Sequence, residues 1–128
     1  MIRAKRLDDG VLQKDLTKQL RVTATTIENW ELRGAFPPTK IWPKIIEFLG
    51  YNPLLTLEPS RTIGKKLWIV RMSLGLTHRS LAPKIGLDPT TISRVEGRMY
   101  KGTLNGKTLV AVELFIEEYG ASLFKDEP

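Results

Sequence analysis

Apolar residues recur at intervals of three and four along this chain, in short runs separated by glycine, proline and threonine. Leu16 and Leu20, for example, share one face of a predicted helix, Thr23 can cap the next helix, and Pro37 prevents that helix from continuing. Runs that alternate apolar and polar residues, which are typical of strands, are missing, so the predicted class is all-α. The predicted helices lie at about residues 2–9, 13–20, 24–32, 43–49, 63–74, 78–85, 89–97 and 109–119.

The two halves of the chain repeat one another at an offset of 65 residues, and eight of the first 34 positions are identical. Helical periodicity explains matched Leu and Ile, but it does not explain a matched glycine, a Thr-Thr-Ile run and an Arg and Glu at one constant offset. We therefore interpret the halves as tandem copies. The identical pairs are Arg6/Arg71, Gly10/Gly75, Leu16/Leu81, Thr25/Thr90, Thr26/Thr91, Ile27/Ile92, Glu31/Glu96 and Arg33/Arg98.

The repeat predicts a division of the chain into two domains. Residues 1–55 form the first domain and residues 62–128 the second, with a linker at 56–61 inside a proline-containing connection at 51–60. The second copy carries a five-residue insertion before its last helix, since residues 46–50 match residues 116–120.

Charge and composition narrow the function classes. The chain of 128 residues has 20 Lys+Arg and 14 Asp+Glu, a net charge of +6, and residues 61–107 hold ten of those bases with only Asp88 and Glu96 as acids. Zero cysteines and the single His78 exclude a Cys-ligated or multi-His metal site. Catalytic constellations and phosphate-binding glycine loops are also missing. We therefore expect no enzyme activity, no metal or other cofactor and no small-molecule substrate.

The chain contains no apolar stretch of about 20 residues and no apolar run after its first positive charges. We therefore expect a cytoplasmic, nucleoid-associated protein with no membrane partner.

Two helices joined by a short turn occur in each copy. The first copy shows them in Leu12-Gln13-Lys14-Asp15-Leu16, Val22 to Glu31 and Phe48-Leu49-Gly50-Tyr51, and the second in Gly75 to Ala82 and Ile85 to Glu96. These segments resemble the phage-repressor-like (Xre, Cro/repressor) helix-turn-helix family. The resemblance implies two tandem lambda-repressor-like domains of four to five short helices. It also implies a structural ion pair in each copy, Arg6 with Glu31 and Arg71 with Glu96.

The resemblance further implies which residues contact DNA, because the third helix of this fold enters the major groove and the second crosses the backbone. Asn29 is suited to adenine and Arg94 to guanine. The full base-facing set is Ala24, Thr25, Glu28, Asn29, Pro89, Thr90, Ser93 and Arg94. The phosphate-contacting set is Gln13, Lys14, Thr26, Arg33, His78, Arg79, Thr91, Arg98 and Lys101.

Each assignment has a structural alternative. The paired threonines fit the exposed first turn of a capped helix, Arg98 and Lys101 fit loop charges in water, and His78 fits an exposed helix start. The three tryptophans fit core anchors, and Trp42 and Trp68 also fit packing between the two copies.

Two positions depart from the family pattern. Arg21 stands where the family usually has a glycine with a left-handed backbone, and Pro83 lies inside a predicted helix.

The sequence thus predicts a sequence-specific double-stranded DNA-binding protein, a transcriptional regulator. Its two copies would act as a single-chain pseudo-dimer on half-sites about 34 Å apart, a distance that the connection at residues 51–60 can reach when extended. An alternative keeps DNA binding in one copy and gives the other a dimerisation or antitoxin-like partner-binding role, with a homodimer or protein partner bound through the acidic C-terminal helix, residues 109–119. A protein-binding adaptor on the same scaffold is a further alternative.

Overall fold

The computed structural model describes residues 1–58, 62–97 and 105–124, and these ranges contain helices and no strand. The all-α prediction is confirmed. The helices are α1 (Ile2–Asp8), α2 (Gln13–Leu20), α3 (Ala24–Leu32), α4 (Trp42–Leu49), α5 (Leu54–Leu57), α6 (Ile63–Ser73), α7 (His78–Ile85), α8 (Pro89–Glu96) and α9 (Gly106–Gly120), with 3₁₀ turns at Thr39–Ile41 and Ala121–Leu123.

Side-chain caps fix where several helices begin. The Thr23 hydroxyl accepts a hydrogen bond from the Thr26 amide at 3.1 Å, and Thr62 caps α6 in the same way. The last helix was predicted to start at residue 109 after a turn at Asn105 and Gly106, and this start was wrong. Asn105 is itself the cap, since its Oδ1 accepts from the Thr108 amide at 2.9 Å, so α9 starts at Gly106 and is longer than predicted.

The described helices enclose two apolar cores. The first core is built mainly from α1 to α5, and Leu16, Ile27 and Ile45 are fully buried in it. The second is built from α6 to α9, around Leu81, Ile92 and Val112. Each repeat thus buries its own apolar face, as short helices require.

Helix α6 belongs to both cores. Its Leu67 and Val70 lie in the second core, whereas Ile69 and Met72 lie in the first. The predicted second domain starts at residue 62, just before this helix, so the side chains of that domain complete the core of the other one.

Aromatic rings reinforce the contact between the two copies. The Phe36 ring lies 5.1 Å from the Trp42 ring and 6.5 Å from the Trp68 ring, measured between centroids. Trp42 is fully buried and its Nε1 donates to the Pro37 carbonyl at 3.1 Å, whereas Trp68, from α6, packs against the first core. Of the two alternatives for Trp68, packing across the copies is the one observed.

The connection between the copies is not extended over the residues that the structure describes. Residues 54–57 form α5, and Leu54 is fully buried in the first core. Asn52 Nδ2 donates to Ser73 Oγ of α6 at 2.8 Å, and Glu58 lies 3.8 Å from Lys65. Apolar burial and these polar contacts hold the connection against α6, so it does not act as an extended spacer.

None of the helices within the described ranges combines the length and apolar character needed to cross a bilayer.

Candidate nucleic-acid interface

A three-residue turn joins α2 to α3 and another joins α7 to α8. Each turn begins with a left-handed residue: Arg21 has φ 57° and ψ 47°, and Gly86 has φ 75°. The left-handed backbone inferred for Arg21 is confirmed. A side chain at such a position costs about 1 kcal/mol relative to glycine, so the first copy forms this turn under mild strain.

Both predicted Arg–Glu pairs form, and both are bidentate. Arg6 donates through Nε and Nη2 to the Glu31 carboxylate at 2.9 Å each. Arg71 donates in the same way to Glu96, at 2.7 and 2.9 Å. The remaining guanidinium nitrogen of each arginine donates to a loop carbonyl, Val11 in one copy and Leu76 in the other. These bonds attach the third helix of each copy to its first helix.

The first pair has clear electrostatic consequences. Hydrogen bonds from Arg6 hold the pKa of the Glu31 carboxyl below its usual range, and the same bonds raise the pKa of Arg6. Glu31 is therefore a carboxylate at neutral pH, paired with Arg6 near the end of α3.

The side chains of Gln13 and His78 were predicted to contact phosphate, but in the structure each contacts a glutamate carboxylate of the protein. Gln13 Nε2 donates to Glu31 Oε1 at 3.2 Å, and His78 Nε2 lies 2.9 Å from Glu96 Oε1. A largely buried carboxylate gains by accepting several donors, which explains why both side chains turn inward. A phosphate contact from His78 would have to come from its other ring nitrogen, Nδ1.

The base-facing candidates lie on the side of each third helix away from its core. Ile27 of α3 and Ile92 of α8 are fully buried on the opposite side. Five of the eight candidates are exposed, namely Ala24, Thr25, Thr90, Ser93 and Arg94, and three are half-buried, namely Glu28, Asn29 and Pro89. Each copy therefore presents a short polar helix face to solvent.

One contact within this face was missed in the sequence. Arg33 Nη1 donates to Asn29 Oδ1 at 3.0 Å, which assigns the amide oxygen of Asn29 to the Arg33 side. Asn29 of α3 and Arg33, the residue that ends this helix, are four residues apart, a spacing that brings helix side chains together, so the contact could have been predicted.

The other seven residues that were predicted to contact phosphate divide into three groups. Lys14, Arg33 and Arg79 are exposed cations. Thr26 and Thr91 are half-buried, and the Thr26 hydroxyl lies 2.8 Å from the hydroxyl of the capping Thr23. Arg98 and Lys101 lie outside the described residues. Lys14 lies on α2, Arg79 on α7 and Arg33 directly after α3. Along the sequence, these cations therefore lie on either side of α3 and before α8.

The described residues include no cluster of three His, Cys, Asp or Glu side chains arranged to hold a metal ion. Comparison of the chain with protein-family models, with curated proteins and with solved structures finds no match. The case for a function therefore depends on the geometry of these residues.

Proposed function

We propose that this protein binds double-stranded DNA sequence-specifically and regulates transcription, acting in the cytoplasm at the nucleoid as a member of the phage-repressor-like family. The observation that carries the proposal is the repeated pair of short helices with a three-residue turn. In each pair the third helix buries one side and leaves hydrogen-bonding side chains exposed on the other. A helix held in this way suits insertion into the major groove, which is wide enough to admit it.

Two side chains supply most of the proposed base discrimination. Arg94 is an exposed guanidinium with the geometry for the O6 and N7 atoms of guanine. Asn29 suits the N6 and N7 atoms of adenine, because its amide oxygen accepts from Arg33 through one lone pair and has a second for the adenine N6 amino group. No catalytic role is proposed for either.

The shared helix α6, and not a flexible linker, supports the proposed pseudo-dimer. Because α6 contributes to both cores, α3 and α8 belong to units that cannot separate freely. We propose that both read one duplex, at half-sites about one helical turn, roughly 34 Å, apart. This arrangement predicts a site with a fixed half-site spacing and two different half-site sequences.

Selection of bound duplexes from a random pool, followed by fluorescence anisotropy with the selected site, tests the proposal. Arg94→Ala is expected to weaken the selected site by about 1–3 kcal/mol and to relax base preference in one half-site, and Asn29→Ala to do so in the other. The matched control is Arg79→Ala, an exposed arginine of α7. It is expected to weaken all sequences alike and to reduce the salt slope by about one.

The dependence of DNA affinity on salt concentration provides the outcome that would overturn the proposal. Affinity should fall steeply between about 50 and 200 mM salt, since phosphate binding releases counterions. A chain that binds no duplex at the lower concentration is not a DNA-binding protein. If only one of Asn29→Ala and Arg94→Ala alters binding, one copy reads DNA and the other copy has a different role.

A protein-binding role for the second copy has its own supporting observation. Val110 and Leu114 of α9 are apolar, large and more than half exposed. Exposed apolar patches mark protein-interaction sites, so protein binding through the second copy is the second candidate function.

A further inference from the structure

The two copies make the same contact to a buried glutamate with side chains of different chemistry. In the first copy Gln13 Nε2 donates to Glu31 Oε1 at 3.2 Å. In the second copy His78 Nε2 lies 2.9 Å from Glu96 Oε1, and His78 is the residue that matches Gln13 at the repeat offset. Histidine is the side chain whose charge ordinarily changes between about pH 5 and pH 8. The same contact can therefore respond to pH in one copy and not in the other.

The contact with Glu96 determines which nitrogen of His78 carries a hydrogen. Both oxygens of Glu96 accept from Arg71, as those of a carboxylate do, and a carboxylate accepts hydrogen bonds without donating any. His78 Nε2 is therefore the donor of the pair. In a neutral imidazole the other nitrogen, Nδ1, is then an acceptor. Neutral His78 thus cannot donate to a DNA phosphate while it keeps its bond to Glu96.

Gln13 meets no such restriction. Its amide nitrogen carries two hydrogens, so it can donate one to Glu31 and the other to a phosphate oxygen at any pH. His78 can make both bonds in its protonated form alone, in which Nε2 and Nδ1 are both donors. The His78 side chain is 36% exposed, although that of Glu96 is only 6% exposed, so a phosphate can reach the ring from solvent.

We propose that His78 takes up a proton when the second copy binds DNA, and that Glu96 is the positioning residue that makes this proton necessary. The inference rests on the proposed DNA-binding function and adds its regulation. Nε2 keeps its hydrogen bond to Glu96, and the added proton lies on Nδ1 and is donated to one phosphate oxygen. Solvent supplies the proton and receives it again when the duplex dissociates. DNA affinity therefore falls as pH rises through the range in which unbound His78 loses its proton.

The charges around His78 favour this coupling. Glu96 of α8 is shared with the Arg71 guanidinium of α6, so its charge compensates only part of a cation at His78. Arg79, the next residue on α7, is an exposed cation, and a DNA phosphate supplies the remaining negative charge. Other charges face α7 near Lys84, six residues or about 9 Å along the helix from His78, and these are Lys107 and Glu118 of α9.

Duplex affinity measured at about pH 6 and pH 8, at one salt concentration, tests the proposal. The wild type is expected to lose about tenfold in affinity over this range, since a required proton changes affinity by at most about tenfold for each pH unit. Calorimetric titration at about pH 7.5 in two buffers of different ionisation enthalpy should show uptake of about one proton for each duplex bound. This second measurement needs no variant, so it does not depend on the folding of one.

Exchange of the two matching side chains provides paired variants. His78→Gln gives the second copy the amide that the first copy has, with one hydrogen for Glu96 and one for phosphate. Its affinity should be alike at both pH values and should exceed that of the wild type at about pH 8. The chain has one histidine, so a pH dependence that this variant removes belongs to a single side chain. The reciprocal variant, Gln13→His, places an imidazole beside Glu31 and should make affinity fall more steeply with pH.

The outcomes separate this inference from the proposed function. A wild type that binds its duplex equally at both pH values overturns the inference and leaves DNA binding intact. Proton uptake that persists in His78→Gln overturns it as well. A chain that binds no duplex at about pH 6 and low salt overturns the proposed function, and the inference fails with it.

Discussion

Single carboxylates organise the polar interior of each unit. Glu31 of α3 accepts from Arg6 of α1 and Gln13 of α2, so one side chain joins three helices. Glu96 does the same in the second copy, with Arg71 of α6 and His78 of α7. A buried carboxylate that loses its hydrogen-bond donors destabilises the folded protein. These contacts therefore favour one arrangement of the three helices over others, and their net contribution to the free energy of unfolding is smaller.

Replacing Glu31 by Gln is expected to lower the free energy of unfolding by about 2 kcal/mol, a value between those of exposed and buried ion pairs. The effect should depend on pH. The pKa of Glu31 is lower in the folded protein than its unfolded value of about 4.3, so its contribution is complete above that pH. The contribution is lost as pH falls through the folded pKa. Urea unfolding of both proteins from pH 3 to pH 7 measures the difference.

The control for this experiment is Glu47→Gln, which changes an exposed glutamate of α4. Its effect should stay within about 0.5 kcal/mol at every pH. A difference between wild type and Glu31→Gln that stayed constant down to pH 3 would contradict the assignment.

Part of this residue-level detail was predictable. The family resemblance implied both Arg–Glu pairs, and the two pairs share the same separation of 25 residues. The inward turn of Gln13 and His78 was not predictable, since it depends on the carboxylate being largely buried. Sequence spacing reports which residues share a face, but it does not report how many donors a buried group needs.

At the level of elements, the two turns that join the second and third helices of each copy differ in backbone strain. Gly86 occupies its left-handed position without strain, whereas Arg21 has a side chain there. Arg21→Gly is expected to stabilise the protein by about 1 kcal/mol, less the extra entropy of glycine in the unfolded chain. The reciprocal control, Gly86→Ala, should destabilise by a similar amount. Thermal unfolding compares the two, and a loss of stability in Arg21→Gly would show that the arginine side chain compensates for its backbone strain.

Helix positions followed from the sequence where local signals were strong. Helices α2 and α7 occupy the predicted ranges, 13–20 and 78–85, because apolar residues at i and i+4 mark one buried face in each. Helix α5 was missed, since its four residues lie in a proline-containing segment that resembles a connection. Burial of Leu54 in the first core supports that helix, and this tertiary contact has no local sequence signal.

At the level of the whole molecule, the shared helix α6 predicts that the two repeats unfold as one cooperative structure. Trp42 lies in the first core and the other two tryptophans pack against it, so their fluorescence reports on that core. Leu67 of α6 lies in the second core, and Leu67→Ala is expected to cost about 2–5 kcal/mol. Because α6 must unfold with either core, this variant should lower the urea midpoint seen by tryptophan fluorescence as much as the midpoint seen by far-UV circular dichroism.

Met72→Ala provides the matched variant, since Met72 lies on the same helix but in the first core. It should also shift both signals together. The contrary result is a Leu67→Ala protein in which circular dichroism falls at lower urea while the tryptophan signal keeps its wild-type midpoint. Such a protein would consist of two independent domains, and α6 would not hold α3 and α8 at a fixed separation. Coincident midpoints in both variants would mean that the two cores unfold together, so every folded molecule contains both α3 and α8, which the proposed two-half-site contact requires.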